Sequence, residues 1–545
     1  MKRTLFLLIT GCFLLLNACE EEFLDRNPKA LPNPKNFFTD ASSARMAVNA
    51  CPLPWTRQNY MMKRNMGAVL EGISDDAWYR QSGAPEIALC NWDVNSVNRN
   101  VIAWWTYPYQ CINNANFAID NIPLSSDPNF TPEEQAPFIA EAKFYRAYSY
   151  LFLTTFFGDV PLFTNAASGF DEFYKPRTPK ADILDQVVED LTYAKDNLPT
   201  SQPSAKGAPT KATGAAMLAK AQLFRKDWAA AELAAREAVQ IAESSGYHLL
   251  DNYLDNWSQE GNAELLFYWG YVENNGDYGQ NFTVYRNCRD LPATLRIAIL
   301  GDGFGYLIPN RDLYDEFEEG DPRREFTLYS PGHDYEIYPG PADFPYTHEI
   351  YDASGNKVQW NVTYKAGDMV QYDYRWSPTG LNIRKMTKSL KDDVRVEWDG
   401  LDCPVMRMSE LYLILAEALA EQGKSEALTW VNKVRSRPSV NIPGRALNDG
   451  KKGDNSLVDI VRHERRVELA GEGLRILDLI RWGTLYTVFG DGTKVKRHFF
   501  SDFLPAGNAA KYSKPGSAIR NPVLPTPQAE IDANPALIQD PAWAN

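Results

Sequence analysis

The motifs in this chain that could carry catalytic or cofactor chemistry fail on their spacing. Residues 299–305 read ILGDGFG, close to a dinucleotide-binding turn, but Tyr306 replaces the third glycine and Pro309 interrupts the helix that should follow. His463 and Glu464 lack the second histidine of a zinc protease motif. The sequence has no nucleophile elbow or phosphate-binding loop, and nothing marks two of its many acids as a glycosidase pair. We therefore predict no catalytic residue.

Cys19 is the residue whose surroundings predict a defined modification. A charged start precedes apolar residues 4–16, which are too few for a membrane span, and residues 16–19 read LNAC. This pattern resembles a bacterial lipobox, which implies a signal peptide over residues 1–18 and a lipid on the Cys19 thiol. An ordinary secretory signal fits the spacing less well. Each buried methylene contributes ~0.8 kcal/mol, so several acyl chains would give a stable membrane anchor.

The remaining cysteines do not form a recognisable framework. Cys12 leaves with the signal peptide, and the other five are Cys51, Cys90, Cys111, Cys288 and Cys403. No pair has the spacing of a zinc or redox motif, and an odd number cannot complete a set of disulfides. We expect buried free thiols, no metal site and no cofactor, although the sequence does not decide whether calcium binds.

Composition limits the classes of partner. Removing Lys2 and Arg3 with the signal peptide changes the formal charge from −14 to −16 (−14 minus 2), which disfavours nucleic acid and anionic lipid. No other apolar run is long enough to cross a membrane. At 545 residues the chain exceeds the usual limit for a single core, so we expect one large elaborated domain or a bipartite core.

Residue patterns typical of helices lie on both sides of a loop-rich middle segment. Thr131 and Pro132 start a helix whose apolar stripe runs to Gly158. Residues 211–242 and 408–434 each read as a helical hairpin, broken at Lys226-Asp227 and at Gly423, with small residues that permit close stacking.

Residues 252–405 are instead rich in Gly, Pro, Asp, Tyr and Trp, which favours long loops and small β-hairpins. We predict a mainly α fold with a tetratricopeptide-like helical-repeat scaffold. After a tether over residues 19–36, a single domain would span residues 37–545. Its helical scaffold would cover about 37–250 and 404–485, and a loop-rich ligand-binding insertion would cover about 251–403.

The most specific signal is C-terminal, where residues 463–483 read HERRVELAGEGLRILDLIRWG. Residues 19–25 read CEEEFLD, residues 320–323 read GDPR, and residues 524–531 read LPTPQAEI. Together with residues 146–162, these motifs closely resemble the SusD/RagB family of outer-membrane nutrient-binding lipoproteins. The resemblance runs from the lipobox to the C-terminus, and several motifs in order are more specific than any one.

The resemblance implies a scaffold of four tetratricopeptide-like helix pairs whose irregular loops carry a ligand site. It implies a non-enzymatic surface lipoprotein that captures oligosaccharide, or peptide in the RagB-type branch, for a SusC-like TonB-dependent outer-membrane transporter. The run Glu20-Glu21-Glu22 resembles the family's export signal to the cell surface. Outer-membrane lipid attached through Cys19, the transporter and an oligosaccharide are thus the implied partners. A surface glycoside hydrolase remains a less favoured alternative.

The charged motif residues themselves suit a structural role. Arg465, Glu468, Glu472, Arg475, Asp478 and Arg481 alternate in sign at helical spacings, as expected of ion pairs that lock a helix onto the scaffold.

A sugar binder needs exposed aromatic rings flanked by polar side chains, because a sugar ring has an apolar face and a rim of hydroxyls. Two loop regions have this composition, around residues 75–93 and 274–287. The candidate ligand residues are Asp76, Trp78, Tyr79, Arg80, Trp92, Tyr278, Tyr285, Arg286, Trp360 and Trp376. Trp104 and Trp105 lie on a helical stripe, and we assign them to packing.

Overall fold

A computed structural model describes most of the chain. The described residues are 37–58, 61–62, 66–80, 85–167, 169–201, 207–273, 276, 279–280, 282–286, 289, 303–331, 333–336, 344–351, 356–365, 368–373, 376–377, 379–387, 399–489 and 523–543. The predicted signal peptide and tether, including Cys19, lie outside these residues.

Helices make up the N-terminal half of the described chain. They are α1 (Ala41–Asn49), α2 (Leu53–Arg57), α3 (Met66–Gly72), α4 (Pro85–Cys90), α5 (Arg99–Asn121), α6 (Pro132–Phe157), α7 (Lys180–Asn197), α8 (Lys211–Arg225) and α9 (Trp228–Ser244). From α5 onward each helix packs on the next, which is the stacking expected of helical repeats.

Short strands and further helices follow. The strands are β1 (Ala77–Tyr79), β2 (Leu265–Trp269), β3 (Leu307–Pro309), β4 (Leu328–Tyr329), β5 (Asp334–Glu336), β6 (Phe344–Tyr351), β7 (Lys357–Tyr364), β8 (Met369–Gln371), β9 (Asn382–Ile383) and β10 (Cys403–Arg407). The later helices are α10 (Phe282–Arg286), α11 (Arg311–Glu316), α12 (Arg323–Thr327), α13 (Met408–Glu421), α14 (Ala427–Arg435), α15 (Leu457–Leu469), α16 (Arg475–Trp482), α17 (Leu485–Phe489) and α18 (Gln528–Ala533).

The strands form no large sheet within the described part of the chain. They pair in twos, all antiparallel: β1 with β3, β2 with β10, β4 with β9, β5 with β8, and β6 with β7. The β6–β7 hairpin lies within residues 252–405, where the composition predicts small hairpins. The predicted fold class, a helical scaffold with irregular loops and small hairpins, is confirmed.

Local signals in the sequence set the helix ends. Thr131 caps α6 with reciprocal hydrogen bonds to Glu134, and Gly158 ends that helix with a φ of +67°. Lys226 adopts a left-handed φ of +60° between α8 and α9, and Gly423 does so at +71° between α13 and α14. The predicted hairpin breaks are therefore confirmed.

Aromatic residues fill the core between these helices. The Trp104 ring centroid lies 5.1 Å from that of Phe156 and 5.8 Å from that of Phe152, and Trp105 lies 5.1 Å from Phe157. Both tryptophans are buried, which confirms their assignment to packing.

A group of charged side chains is buried where β2, β10 and α15 meet. The Glu264 carboxylate accepts hydrogen bonds from Arg407 Nη1 at 2.7 Å and from Arg437 Nη1 at 2.6 Å. Glu468 accepts one from Arg323 Nη1 at 3.1 Å and lies 3.3 Å from both Arg407 and Arg437. All five side chains are buried. Burial alone would raise the pKa of Glu264, but Arg437 and Arg407 outweigh it and lower that pKa to about 2.

The charged residues of the C-terminal motif form ion pairs as predicted, but mostly with other elements of the fold. Two glycines, Gly471 and Gly473, have positive φ and divide the motif between α15 and α16. Further ion pairs of the motif include Arg465–Asp478, Glu472–Arg407, Arg475–Asp75 and Arg481–Glu417. The motif therefore joins distant segments, in addition to the Asp478–Arg481 pair within α16.

Replacing Glu264 with Gln should lower the free energy of unfolding by roughly 3–5 kcal/mol, because it leaves Arg407 and Arg437 buried without their carboxylate. The matched control is Glu426→Gln, which removes an exposed pair with Arg236 and should cost about 0–1 kcal/mol. Urea unfolding at neutral pH measures both values, and equal losses would contradict the prediction.

The pH dependence gives a second readout of the same variant. Glu264 has a lower pKa folded than unfolded, so its contribution to stability is present above about pH 4.5 and is lost as pH falls toward about 2. The stability difference between the native protein and Glu264→Gln should therefore shrink across that interval.

Candidate functional site

The β1–β3 pair brings the two predicted loop regions together. Trp78 pairs with Ile308 and Tyr79 with Leu307. The ladder continues past the strands, since the Arg80 amide donates to the Tyr306 carbonyl at 2.8 Å. The Tyr306 amide in turn donates to the Tyr285 carbonyl at 2.8 Å. Residues near 80, 285 and 306 are thus held side by side.

Four rings meet at this place, and we call Tyr79, Tyr285, Phe304 and Tyr306 the ring cluster. The Phe304 and Tyr306 rings are almost parallel, with centroids 5.2 Å apart and an interplanar angle of 18°. The Tyr285 centroid lies 5.7 Å from that of Phe304 and 5.3 Å from that of Tyr306, and Tyr79 lies 5.5 Å from Tyr306. The two outer rings flank Gly305, whose φ of +55° places a left-handed turn of the backbone between them.

Solvent reaches only one side of the ring cluster. Phe304 is 38% exposed and Tyr306 is half-buried, whereas Tyr285 and Tyr79 are buried beneath them. The Phe304 amide donates to the Val284 carbonyl at 2.7 Å, so the backbone under both outer rings is fixed by hydrogen bonds. The result is a stacked pair of rings on a hydrogen-bonded base, with the Phe304 ring partly exposed to solvent.

An exposed ring pair of this kind can stack against a flat apolar surface of a ligand. Covering roughly 100 Å² of apolar surface stabilises a complex by ~2.5 kcal/mol before entropic losses. This arrangement suits binding of a ligand with a flat apolar face.

Most of the ligand residues predicted from the sequence are buried, so the expectation that they form an exposed surface is wrong. The buried members are Asp76, Trp78, Tyr79, Trp92, Tyr285, Arg286 and Trp376. Tyr278 lies outside the described residues, while Arg80 and Trp360 are half-buried. That any of these residues contacts a ligand stays a prediction. Burial makes such contact less favourable for the seven buried residues.

Each buried tryptophan has a packing role. Trp78 packs against Ile308 and Ile87, and the Trp92 indole donates to the Ile73 carbonyl at 3.2 Å. Trp376 lies with its ring centroid 5.1 Å from that of Tyr372. Their polar neighbours in the sequence made them resemble surface residues, because composition alone does not show which way a ring points.

The buried charges near the ring cluster hold it in place. Arg466 contacts Asp76 at 2.7 Å and Asp75 at 3.0 Å, and Arg475 contacts Asp75 at 2.8 Å. Burial raises the pKa of Asp76, and the adjacent Asp75 carboxylate raises it further against the effect of Arg466. These ion pairs fasten the residues just before β1 to the C-terminal motif.

Arg286 fastens the other side of the ring cluster. Its guanidinium donates to the Gly471 carbonyl at 2.7 Å, and the Glu71 carboxylate accepts from the Gly471 and Gly473 amides at 2.9 and 2.8 Å. Burial lowers the pKa of Arg286, and the nearby Glu71 opposes that shift. Arg286 and Asp76 are therefore positioning residues.

Phe304 and Tyr306 are the candidates that the sequence reasoning missed. Both lie at the end of the glycine-rich run that was considered as a dinucleotide motif and rejected. The available signal was that Phe304 and Tyr306 flank a glycine just before a short apolar run, at the end of a glycine-rich segment.

The same described residues also bear on metal binding and on membrane insertion. No group of three or more His, Cys, Asp or Glu side chains there is arranged to hold a metal ion, and no helix there is long and apolar enough to span a membrane. Cys51, Cys90, Cys111 and Cys403 are buried free thiols, and Cys288 lies outside the described residues.

Tyr79→Ala should lower the free energy of unfolding by roughly 3–5 kcal/mol, since it removes a fully buried ring from between α3 and the ring cluster. Phe304→Ala is the matched control from the same cluster and should cost about 1 kcal/mol, because part of that ring is already in water. Urea unfolding measures both. A larger loss for Phe304→Ala would show that the assignment of inner and outer rings is reversed.

The chain is similar to known proteins both in sequence and in fold. The chain is 28% identical over 500 residues to SusD-like protein P2 of Formosa agariphila, covering 88% of this chain and 92% of that protein. Its fold is similar to that of a SusD-like carbohydrate binding protein from Bacteroides fragilis, with a TM-score of 0.71, 24% identity, and coverage of 92% of this chain and 100% of the other. A laminarin binding SusD-like protein gives a TM-score of 0.69, 23% identity and coverage of 92% and 100%. At these identities the two structures establish the fold.

Two family models match successive parts of the chain. One, described as "Starch-binding associating with outer membrane", matches residues 22–223. The other, described as the SusD family, matches residues 233–543, which is more than half of the 545 residues and includes both the ring cluster's outer pair and the charged C-terminal motif. The chain belongs to the SusD family.

Proposed function

We propose that this protein is a glycan-binding lipoprotein of the bacterial outer membrane. It captures oligosaccharide at the cell surface, without catalysis, and delivers it to a SusC-like TonB-dependent transporter. The observation that carries the proposal is the pair of nearly parallel rings, the partly exposed Phe304 and the half-buried Tyr306, on a base fixed by hydrogen bonds and buried ion pairs.

The physical match is between these rings and the apolar face of a sugar. A pyranose ring presents axial C–H groups on one face, and aromatic rings in proteins bind such surfaces with a large apolar contact. Rigid support matters because ordering a loose loop on binding would cost roughly 0.5–1.5 kcal/mol for each immobilised side chain. The hydrogen bonds of residues 304 and 306 remove much of that cost in advance.

The names of similar proteins agree with a glycan ligand. One solved structure of the same fold is of a carbohydrate binding protein, and another is of a laminarin binding protein. The family model that matches the N-terminal part is described as starch-binding and outer-membrane associated. These names support a sugar over a peptide as the ligand and support binding over hydrolysis.

Location and delivery follow from the N-terminal sequence and the family. The lipobox at Cys19 supplies the anchor, and the three glutamates after it supply the export signal. A lipid anchor keeps the binding domain near an outer-membrane transporter, which raises the local concentration of captured glycan at the entrance.

Replacing both Phe304 and Tyr306 with Ala should weaken glycan binding about tenfold or more, because the apolar contact with the sugar is lost. Affinity electrophoresis against laminarin, starch and other polysaccharides, followed by calorimetry on the best ligand, measures the change. Tyr193→Ala, which removes a half-buried tyrosine from the helical scaffold, is the matched control and should bind normally. If the double variant retains full affinity, the ligand binds at another site and the proposal for the ring cluster is wrong.

The same panel separates the alternative functions. Binding of peptides with no retention on any glycan would favour a RagB-type peptide binder and contradict the proposal. Release of reducing sugars from a polysaccharide, lost on neutralising one carboxylate, would show a glycoside hydrolase.

Cys19→Ala should abolish lipid attachment and release the protein from the membrane, because the thiol is the acceptor of the acyl chains. Metabolic labelling with a radioactive fatty acid and fractionation of cells expressing the variant measure this result. Cys51→Ala is the control and should keep the label, since that thiol is buried in the folded domain. Continued labelling of Cys19→Ala would refute the lipobox assignment.

A further inference from the structure

A cavity of about 650 Å³ lies between α5, the segment that follows α6, and the C-terminal α18. Trp105 and Tyr109 of α5 line it, together with Phe163 and, after α18, Asn534. Its volume falls within the range of roughly 300–1,000 Å³ that is usual for small-molecule sites. We call it the α5 cavity, and none of the elements of the ring cluster contributes to it.

Aromatic rings form the walls of the α5 cavity. The Tyr109 centroid lies 5.2 Å from that of Trp105 and 5.9 Å from that of Phe163. The Tyr109 hydroxyl donates to the Pro161 carbonyl at 2.7 Å, which fixes its ring. Phe173 and Tyr174 also line the cavity and are 48% and 45% exposed, so they stand where it opens to solvent.

Polar groups without internal partners face the same cavity. Gln110 and Asn113 are exposed on α5, and within the described part of the chain neither amide side chain has a hydrogen-bond partner. The Glu530 carboxyl is half-buried and, within those same residues, also lacks a hydrogen bond or ion pair. Burial raises the pKa of Glu530. A half-buried carboxyl left without a partner is costly unless a ligand or water supplies one.

We propose that the α5 cavity is a second carbohydrate site, which holds one or two neutral sugar rings of a glycan. The inference rests on the proposed glycan-binding function and adds a site to it. Aromatic walls match the apolar face of a sugar, amides can both donate to and accept from hydroxyls, and a carboxyl oxygen accepts from adjacent hydroxyls.

A cationic ligand fits the α5 cavity less well than a neutral one. The Lys175 ammonium lies 4.9 Å from the centroid of the Phe163 ring and donates to the Leu162 carbonyl at 3.1 Å. A second ammonium near that ring would be repelled, and among the described residues that line the cavity only the Glu530 carboxyl would attract it. A purely apolar ligand would leave Glu530 and the amides without partners.

Calorimetry with the disaccharides maltose, cellobiose and laminaribiose tests the second site on the full chain. The native protein should bind two equivalents of at least one of them. The double variant Phe304→Ala and Tyr306→Ala should lose binding at the ring cluster and keep the equivalent bound in the α5 cavity. The double variant Phe173→Ala and Glu530→Gln should lose binding in the α5 cavity and keep the equivalent bound at the ring cluster. In each case the affected site should bind about tenfold more weakly or not measurably.

Controls separate lost binding from lost folding. Phe173→Trp keeps an aromatic ring at the opening and should retain the second equivalent, and Tyr193→Ala should retain both. Melting temperatures of all variants establish that they are folded. If Phe173→Ala with Glu530→Gln lowers the melting temperature strongly, Glu530→Gln alone, which preserves shape, gives the decisive titration.

The outcomes distinguish this inference from the proposed function. One equivalent in the native protein, unchanged by the Phe173 and Glu530 substitutions, overturns the second site and leaves the proposed function intact. Binding of glucosamine or lysine at this cavity, with no neutral disaccharide, overturns the assignment to a neutral sugar. Failure of the native protein to bind any glycan overturns both.

Discussion

Buried charge pairing between Glu264, Glu468 and three arginines is the constraint on which the rest of the structure depends. Glu264 begins the loop-rich middle segment, whereas Glu468 belongs to the C-terminal motif more than 200 residues later along the chain (468 minus 264 is 204). Each charge is stabilised only when its partners are present, since an unpaired buried charge would cost several kcal/mol. The network therefore fixes which segments meet, because a different docking of α15 would leave charges buried without partners.

The ring cluster depends on an extension of that network. Arg466 and Arg475 of the motif hold the aspartates before β1, and the turn at Gly471 receives the guanidinium of Arg286 from α10. The most recognisable motif of the family thus has a positioning role, and the exposed rings it supports lie elsewhere in the sequence. This separation lets the outer rings and their loops vary while the buried pairs stay the same.

The two proposed carbohydrate sites have different supports. Phe304 and Tyr306 lie just before β3 and are held by backbone hydrogen bonds to residues 80, 284 and 285, while the α5 cavity is lined by a long helix, the segment after α6 and the C-terminal residues. Both combine exposed rings with rings buried behind them. In each, the buried rings fix the geometry and the exposed ones provide contact area, so that little conformational entropy is lost on binding.

The sequence by itself determined the features that depend on local chemistry. Thr131, Gly158, Lys226 and Gly423 set helix ends through capping and backbone conformation, and the order of short motifs identified the family and hence the fold. The exposure of aromatic residues was decided only by tertiary structure. Trp78 and Tyr79 have polar sequence neighbours yet are buried, whereas Phe304 follows an apolar run yet faces solvent. A ring gains the same apolar contact from a protein partner as from a ligand, and which partner it has depends on segments that are distant in sequence.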